Sequence, residues 1–316
     1  MKKILFKPQI NFEMETFKNT IDTVVFHYPC QDGIASAWVA YHYYNINHPS
    51  KVLRLFPAQH GKELNYDMVS QNIIFLDFCP SRDVISQLHN NLNNIFILDH
   101  HITARNDLNN CDFAKFDMEK SGVGLAWDYF FPNIPIPTFL AMIQERDLWK
   151  FRIEKTQEFT SGLFFETDCL QDFYKKFELF DELKTNPEKL SQIINLGTLL
   201  NTHKQLKISH IVKKIKENKY YCTDKNGKSI TIICYNCSSD ITSDLGNALS
   251  SIHCDLAILW NYDHLTEEYL YSLRSTNKID CASIANKYLS GGGHPNAAGG
   301  KHIYHPTELI KSVLFR

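Results

Sequence analysis

Apolar residues along the chain gather into short unbroken runs, and the residues that end those runs are Asp and His. Val24-Val25-Phe26 gives way to His27, Ile73-Ile74-Phe75-Leu76 to Asp77, and Ile95-Phe96-Ile97-Leu98 to Asp99-His100-His101. Runs of this length, apolar at every position rather than at alternate ones, predict strands covered on both faces, as in a mainly parallel sheet of an α/β domain. In such sheets ligands bind beyond the carboxyl ends of the strands, where all three polar clusters fall. Helical spacing over 34–44 follows Asp32-Gly33. A second helix is predicted over 81–92 with Ser81 as its cap, and a third over 137–147 that brings Glu145, Arg146 and Asp147 near its end.

The pattern then changes. The stretch 151–218 is Phe-rich and later Lys- and Leu-rich, with helical spacing over 190–207 and little strand signal, so it reads as helices bridging two domains. Strand signals return at 229–234, 256–260 and 269–273, a helix follows over 281–289, and the chain reaches Ser290-Gly291-Gly292-Gly293-His294-Pro295. No internal repeat or low-complexity segment interrupts this order. A chain of 316 residues carries two domains more readily than one. The expected architecture is α/β: an N-terminal mainly parallel-sheet domain over 1–155, a helical connector over 156–218, and a smaller C-terminal α/β domain over 219–316.

Composition narrows the function. Lys and Arg number 33 against 35 Asp and Glu, a net charge of −2, so a polyanionic partner must be held by a local site rather than by the field of the whole protein. That favours a small or short substrate over a long duplex. The basic start Met1-Lys2-Lys3 is followed by too short an apolar run for an export signal, and no stretch approaches a membrane span. Nine cysteines without framework spacing suit a reducing compartment, and the cytoplasm is the expected location.

Asp and neutral His are oxygen and imidazole ligands for divalent metals, and a carboxylate can bridge two ions. Any one of these residues after a strand is most often a turn or capping residue. The set together resembles the DHH phosphoesterase family: His27 and Asp32-Gly33 in the first strand-to-helix turn, Asp77 ending a later strand, Asp99-His100-His101, and Arg146-Asp147-Leu148-Trp149. Gly291-Gly292-Gly293-His294-Pro295 and the following Asn296-Ala297-Ala298-Gly299 resemble the signature of the associated DHHA1 domain. The resemblance implies two divalent ions, with manganese the expected metal. His27 and Asp77 would hold the first, and Asp32, Asp77, His100 and Asp147 the second. Asp99 would fix an imidazole tautomer, and His101 would face the reacting phosphate or its leaving oxygen. Gly33 would permit the tight turn, with the amino end of the following helix directed at phosphate.

One position departs from the family pattern. Two residues before Asp32, where members commonly carry a ligating Asp, this chain has Cys30. A thiolate there would favour zinc, cobalt or iron over magnesium; alternatively Cys30 is no ligand and the first site is weak.

In the C-terminal domain the three glycines would let backbone N–H groups approach an anion, and Arg274 and His294 are the expected charged contacts to substrate. A flexible glycine turn is the plainer reading of that stretch. Cys234 and Cys237 have zinc-knuckle spacing without a partner pair and read as core thiols. Phe164, Phe165, Phe173, Tyr174 and Phe177 read as core rather than a base-stacking platform, and Lys204, Lys207, Lys213, Lys214 and Lys216 as a solvated helix face. The expected activity is hydrolysis of phosphodiester bonds in short oligonucleotides or dinucleotides by metal-activated water. The rivals are a nucleotide phosphomonoesterase or polyphosphatase, and a catalytically degenerate nucleotide-binding protein. As partners the reading gives a short single-stranded oligonucleotide or small nucleotide, a homodimer mate, and no membrane.

Overall fold

A computed structural model describes residues 14–59, 71–91, 93–108, 111–168, 172–215, 219–223 and 229–310. The reading of the first nine residues, and those of Leu92 and Lys216, lie outside the described residues. The chain divides into two compact units, the first reaching Asn201 and the second beginning at Thr202.

The first unit contains α1 (Met14–Phe17), β1 (Thr23–His27), α2 (Gln31–Asn47), β2 (Arg54–Ala58), β3 (Asn72–Leu76), α3 (Arg82–Asn90), β4 (Asn94–Asp99), α4 (Ile102–Asp107), β5 (Ala114–Phe116), α5 (Gly122–Phe130), α6 (Thr138–Asp147), α7 (Thr156–Asp168) and α8 (Phe173–Thr185). The helix α9 (Pro187–Lys214) runs across the division. Five strands form one sheet in the order β2-β1-β3-β4-β5, and every pairing is parallel. The predicted strands are therefore the three central ones, and their all-apolar composition has the expected cause. Successive side chains alternate faces, and both faces are covered. Val24, Phe26, Ile74, Leu76, Phe96 and Leu98 pack in a core with α2 and α5, whereas Val25, Ile73, Phe75, Ile95 and Ile97 pack with Ile85 and Leu88 of α3. Truncation of one such residue, Phe96→Ala, would cost about 3–5 kcal/mol.

The expected connector is shared between the units. Phe159 and Leu163 of α7 and Phe177, Phe180 and Leu183 of α8 lie in the same core as Trp38 and Phe139, and Trp38 Nε1 donates to Asp181 Oδ1 at 3.0 Å. In α7 the buried line Phe159, Leu163, Thr167 has a spacing of four, which turns the neighbouring Phe164 and Phe165 outward; each is 49% exposed. Tyr174 is also exposed, so of the five aromatics read as core only Phe177 is fully buried and Phe173 partly so.

The second unit holds β6 (Lys219–Thr223), β7 (Ser229–Asn236), α10 (Ser239–Ile252), β8 (Leu256–Asp263), β9 (Glu268–Arg274), α11 (Cys281–Tyr288), β10 (Gly292–His294), β11 (Ala297–His302) and α12 (Pro306–Leu309). Its six strands run β10-β11-β9-β8-β7-β6; β7 and β8 are parallel and the other pairings antiparallel. One face packs Ile232, Ile258 and Leu273 on Ala285 of α11, and the other packs Ile233, Ala257 and Leu259 on Leu245 and Leu249 of α10. Cys234 and Cys237 are free thiols, partly and fully buried, as read from the sequence. No helix among the described residues is long and apolar enough to cross a membrane.

Candidate metal centre

The carboxyl edge of the parallel sheet collects the polar strand ends. His27 is the last residue of β1, Asp77 follows β3, and Asp99 closes β4 with His100 and His101 next in the chain. Asp77 has φ 54°, in the left-handed region that Asp tolerates better than most residues. Its N–H still donates to Leu98 O at 2.9 Å, so the turn is tied to the sheet. His27 Nδ1 lies 3.4 Å from Asp77 Oδ2, and His100 Nε2 lies 3.2 Å from Asp77 Oδ1, 3.4 Å from Asp147 Oδ2 and 4.0 Å from Asp32 Oδ2. Asp32, Asp77 and His100 are each only 1% exposed, a burial that charged groups accept only when paired or bound to an ion.

Asp32 stands in the first turn of α2, which starts at Gln31, three residues earlier than predicted. Gly33 is therefore helical, and close packing rather than a turn requires it: a Cβ there would stand 2.1 Å from His27 O. The Asp32 carboxylate is gripped by the start of α5. Ser121 Oγ donates to Oδ1 at 2.6 Å, Val123 N to Oδ1 at 3.1 Å, and Gly122 N to Oδ2 at 2.6 Å. Gly122 admits no side chain, since a Cβ would lie 2.4 Å from Asp77 Cβ and 2.8 Å from Asp32 Oδ2.

Asp147 is the last residue of α6. The chain beyond it is pinned by buried Glu145, which accepts from Arg152 N at 2.6 Å, Nε at 3.1 Å and Nη2 at 2.6 Å. The Arg146 guanidinium sits 4.4 Å over the Trp149 ring. Asp99 is wholly buried and its Oδ1 accepts from His100 N at 2.7 Å and pairs with His101 Nδ1 at 2.7 Å, so the His101 ring is held by its Nδ1 edge.

The carboxyls differ sharply in proton affinity. Burial pushes Asp32 well above the usual carboxylate range, and the charges of Asp77 and Asp147 push it further, against the pull of His100 and Ser121. Burial raises Asp147 as well, only partly offset by His100. For Asp77 burial also acts upward, but contact with His100 and His27 outweighs it and holds the carboxyl far down. Burial lowers His100 and His101, yet Asp147 and Asp77 around the first and Asp99 beside the second raise both overall. Three carboxylates crowd one imidazole, and a divalent cation would relieve that crowding. Donor atoms of Asp32, Asp77 and His100 fall within 4.8 Å of one another, as do those of His27, Cys30 and Asp77 and those of Asp77, Asp99 and His101. Asp77 thus presents Oδ1 to His100 Nε2 at 3.2 Å and Oδ2 to His27 Nδ1 at 3.4 Å, one oxygen toward each imidazole. The donor types and spacing fit divalent metal.

The structure thus brings His27, Cys30, Asp32, Asp77, His100 and Asp147 together, with the Asp99–His101 pair alongside. Sequence reasoning missed Ser121 and Gly122; the available signal was a Ser-Gly pair directly before an apolar helical run, a helix-start signature. In the second unit Arg274 ends β9, with Nη2 donating to Ser243 Oγ at 2.9 Å and Nη1 to Leu273 O at 2.8 Å. Gly292, Gly293 and His294 form β10, paired antiparallel with β11, and Gly293 has φ 138°. The plainer reading of a flexible turn there gives way to a hairpin strand. Gly291 just precedes it and fits because a Cβ would meet Gly299 O at 2.0 Å.

No protein-family model matches the chain. Among solved structures, a DHH domain described as a member of the s1p family of ribosomal proteins aligns over 94% of this chain and 87% of its own, with 10% identity and a TM-score of 0.50. An exopolyphosphatase-related protein from Bacteroides fragilis aligns over 94% of this chain and 92% of its own, with 17% identity and a TM-score of 0.48. The uncharacterized protein R106 of Acanthamoeba polyphaga mimivirus is 34% identical over 299 residues, which is 89% of this chain and 68% of that one. The chain belongs to the family of that mimivirus protein and has the DHH-domain fold.

Proposed function

We propose that the chain is a divalent-metal-dependent phosphoesterase that hydrolyses phosphodiester bonds of short oligonucleotides or dinucleotides. The observation that carries this reading is the convergence of Asp32, Asp77, His100 and Asp147 from separate elements onto the carboxyl edge of a parallel sheet. His27 and Asp77 would hold one ion, and Asp32, Asp77, His100 and Asp147 a second. Such ions lower the pKa of water and offset charge developing on phosphoryl oxygens. Asp99 fixes the proton of His101 on Nδ1 and favours the imidazolium, which leaves Nε2 as the proton donor to the departing oxygen. The amino end of α2, which begins at Gln31, would add a positive end for the substrate phosphate. The C-terminal unit acts as a DHHA1-type domain: Arg274 offers a planar fork to a phosphate, and the glycines of the hairpin let a nucleoside end approach the backbone.

The test is hydrolysis by the full chain of dinucleotides, short oligonucleotides, a cyclic dinucleotide, adenosine bisphosphate and polyphosphate, before and after chelation. Dinucleotides and short oligonucleotides are expected to be cleaved, with activity lost on chelation and in Asp77→Ala, and KM raised in Arg274→Ala and His294→Ala. Near-native turnover by Asp77→Ala, or cleavage of polyphosphate alone, would overturn it.

A further inference from the structure

We propose that the first metal site is a thiolate site: His27, Cys30 and Asp77 bind a zinc-class ion, beside a carboxylate-rich site suited to manganese or magnesium. This deepens the phosphoesterase reading, because it assigns different chemical character to the two ions that reading requires.

The Cys30 Sγ lies within 4.8 Å of donor atoms of both His27 and Asp77. The His27 Nδ1 to Asp77 Oδ2 separation is 3.4 Å. Two N and O donors each about 2.0–2.1 Å from a tetrahedral ion stand roughly 3.3 Å apart, so this pair already has the spacing of one edge of such a site. Cys30 occupies the N-cap of α2 in extended backbone, φ −63° and ψ 136°. Its carbonyl accepts from Ile34 N at 3.0 Å, which fixes the residue at the mouth of the helix. Nor does Cys30 serve as a packed thiol, since it belongs to neither apolar core that flanks the parallel sheet. Its neighbours are an imidazole and a carboxylate, the company of a ligand.

The consequence follows from ligand softness. Thiolate and imidazole favour zinc, cobalt(II) and iron(II), while carboxylates favour manganese and magnesium. The set His27, Cys30, Asp77 contains one ligand of each kind, whereas Asp32, Asp77, His100 and Asp147 contain three carboxylates and no sulfur. Asp77, common to both, couples an unlike pair. Binding at the thiolate site releases the Cys30 proton to solvent as the sulfur–metal bond forms.

The experiment is titration of the chelated full chain with cobalt(II), followed by ultraviolet and visible absorption, for wild type, Cys30→Ser and Cys30→Asp. Wild type is expected to show a sulfur-to-cobalt charge-transfer band that both variants lack, while the ligand-field bands of cobalt persist. Zinc affinity should fall in Cys30→Ser by at least about 10-fold, the lower bound seen when even an outer partner of a metal site is removed. Cys30→Asp should shift metal content after purification toward manganese. A charge-transfer band that survives in Cys30→Ser, or is absent from wild type, overturns the assignment, and if dinucleotides are still cleaved with manganese the phosphoesterase reading stands without it. The expected band without hydrolysis of any substrate upholds the thiolate site and overturns only the activity.

Discussion

Ser121 lies 89 residues from Asp32 in the sequence, yet its hydroxyl donates to Oδ1 of that carboxylate at 2.6 Å. Ser121→Ala removes that one donor and leaves the N–H groups of Gly122 and Val123 in place. A hydrogen bond to a buried charged group is worth about 1.5–3 kcal/mol. At about 1.4 kcal/mol per factor of ten, its loss should weaken divalent-ion binding roughly 10- to 100-fold, the range found for outer partners of metal ligands. The direction with pH follows as well. The Ser121 hydroxyl pulls the Asp32 carboxyl down, so without it protonation competes with metal at higher pH, and affinity should begin to fall on acidification sooner than in wild type. Competition of manganese against a fluorescent chelator, repeated from acid to neutral pH, measures both effects. Ser121→Thr, which keeps the hydroxyl, should recover most of the affinity. Equal affinity and equal pH dependence in wild type and Ser121→Ala would refute the positioning role, as would a Thr variant as weak as Ala with its circular dichroism unchanged.

Three further outcomes are expected. Gly122→Ala forces a Cβ to 2.4 Å from Asp77 Cβ, and should lower stability by about 1–3 kcal/mol and abolish metal uptake, read from denaturant midpoints and metal content. The Asp99 carboxyl is lower in the folded state than in the unfolded chain, so it contributes stability above the unfolded value near about pH 4 that is lost as pH falls through the folded one. Urea midpoints of chelated wild type and Asp99→Asn should therefore converge as the pH falls below about 4, and a gap that widens there would contradict the assignment. Arg152→Ala leaves buried Glu145 without its main partner and should lower the thermal midpoint, whereas Lys120→Ala, whose partner Asp128 is in solvent, should move it little.

The candidate ligands were legible where a local signal coincided with the sheet. Asp77 and Asp99-His100-His101 each end an apolar run, and such a run announces both a buried strand and the edge at which it stops. Edge strands gave no such signal. The segment Arg54–Ala58 carries an exposed Arg and a Pro at the rim, and Ala114–Phe116 has only three residues. The stretch 156–218 read as a bridge because it is Phe-rich and then Lys- and Leu-rich with little strand signal, and composition does not reveal that Phe159, Leu163, Phe177 and Phe180 pack in the core around α2. Ser121 and Gly122 were hidden for another reason: their partner is Asp32, and no local pattern links residues so distant in the chain.

The grip of α5 on Asp32 makes the centre a dependant of the protein interior. The same helix that presents Ser121 and Gly122 buries Leu125, Trp127 and Phe130 against the core around α2, which itself carries Asp32. Substitution at Trp127 or Phe130 is expected to shift the donors of that carboxylate through the helix that carries them. These apolar positions therefore serve packing and the aim of a charge at once, and a screen for activity should find them among residues that chemistry alone would never nominate.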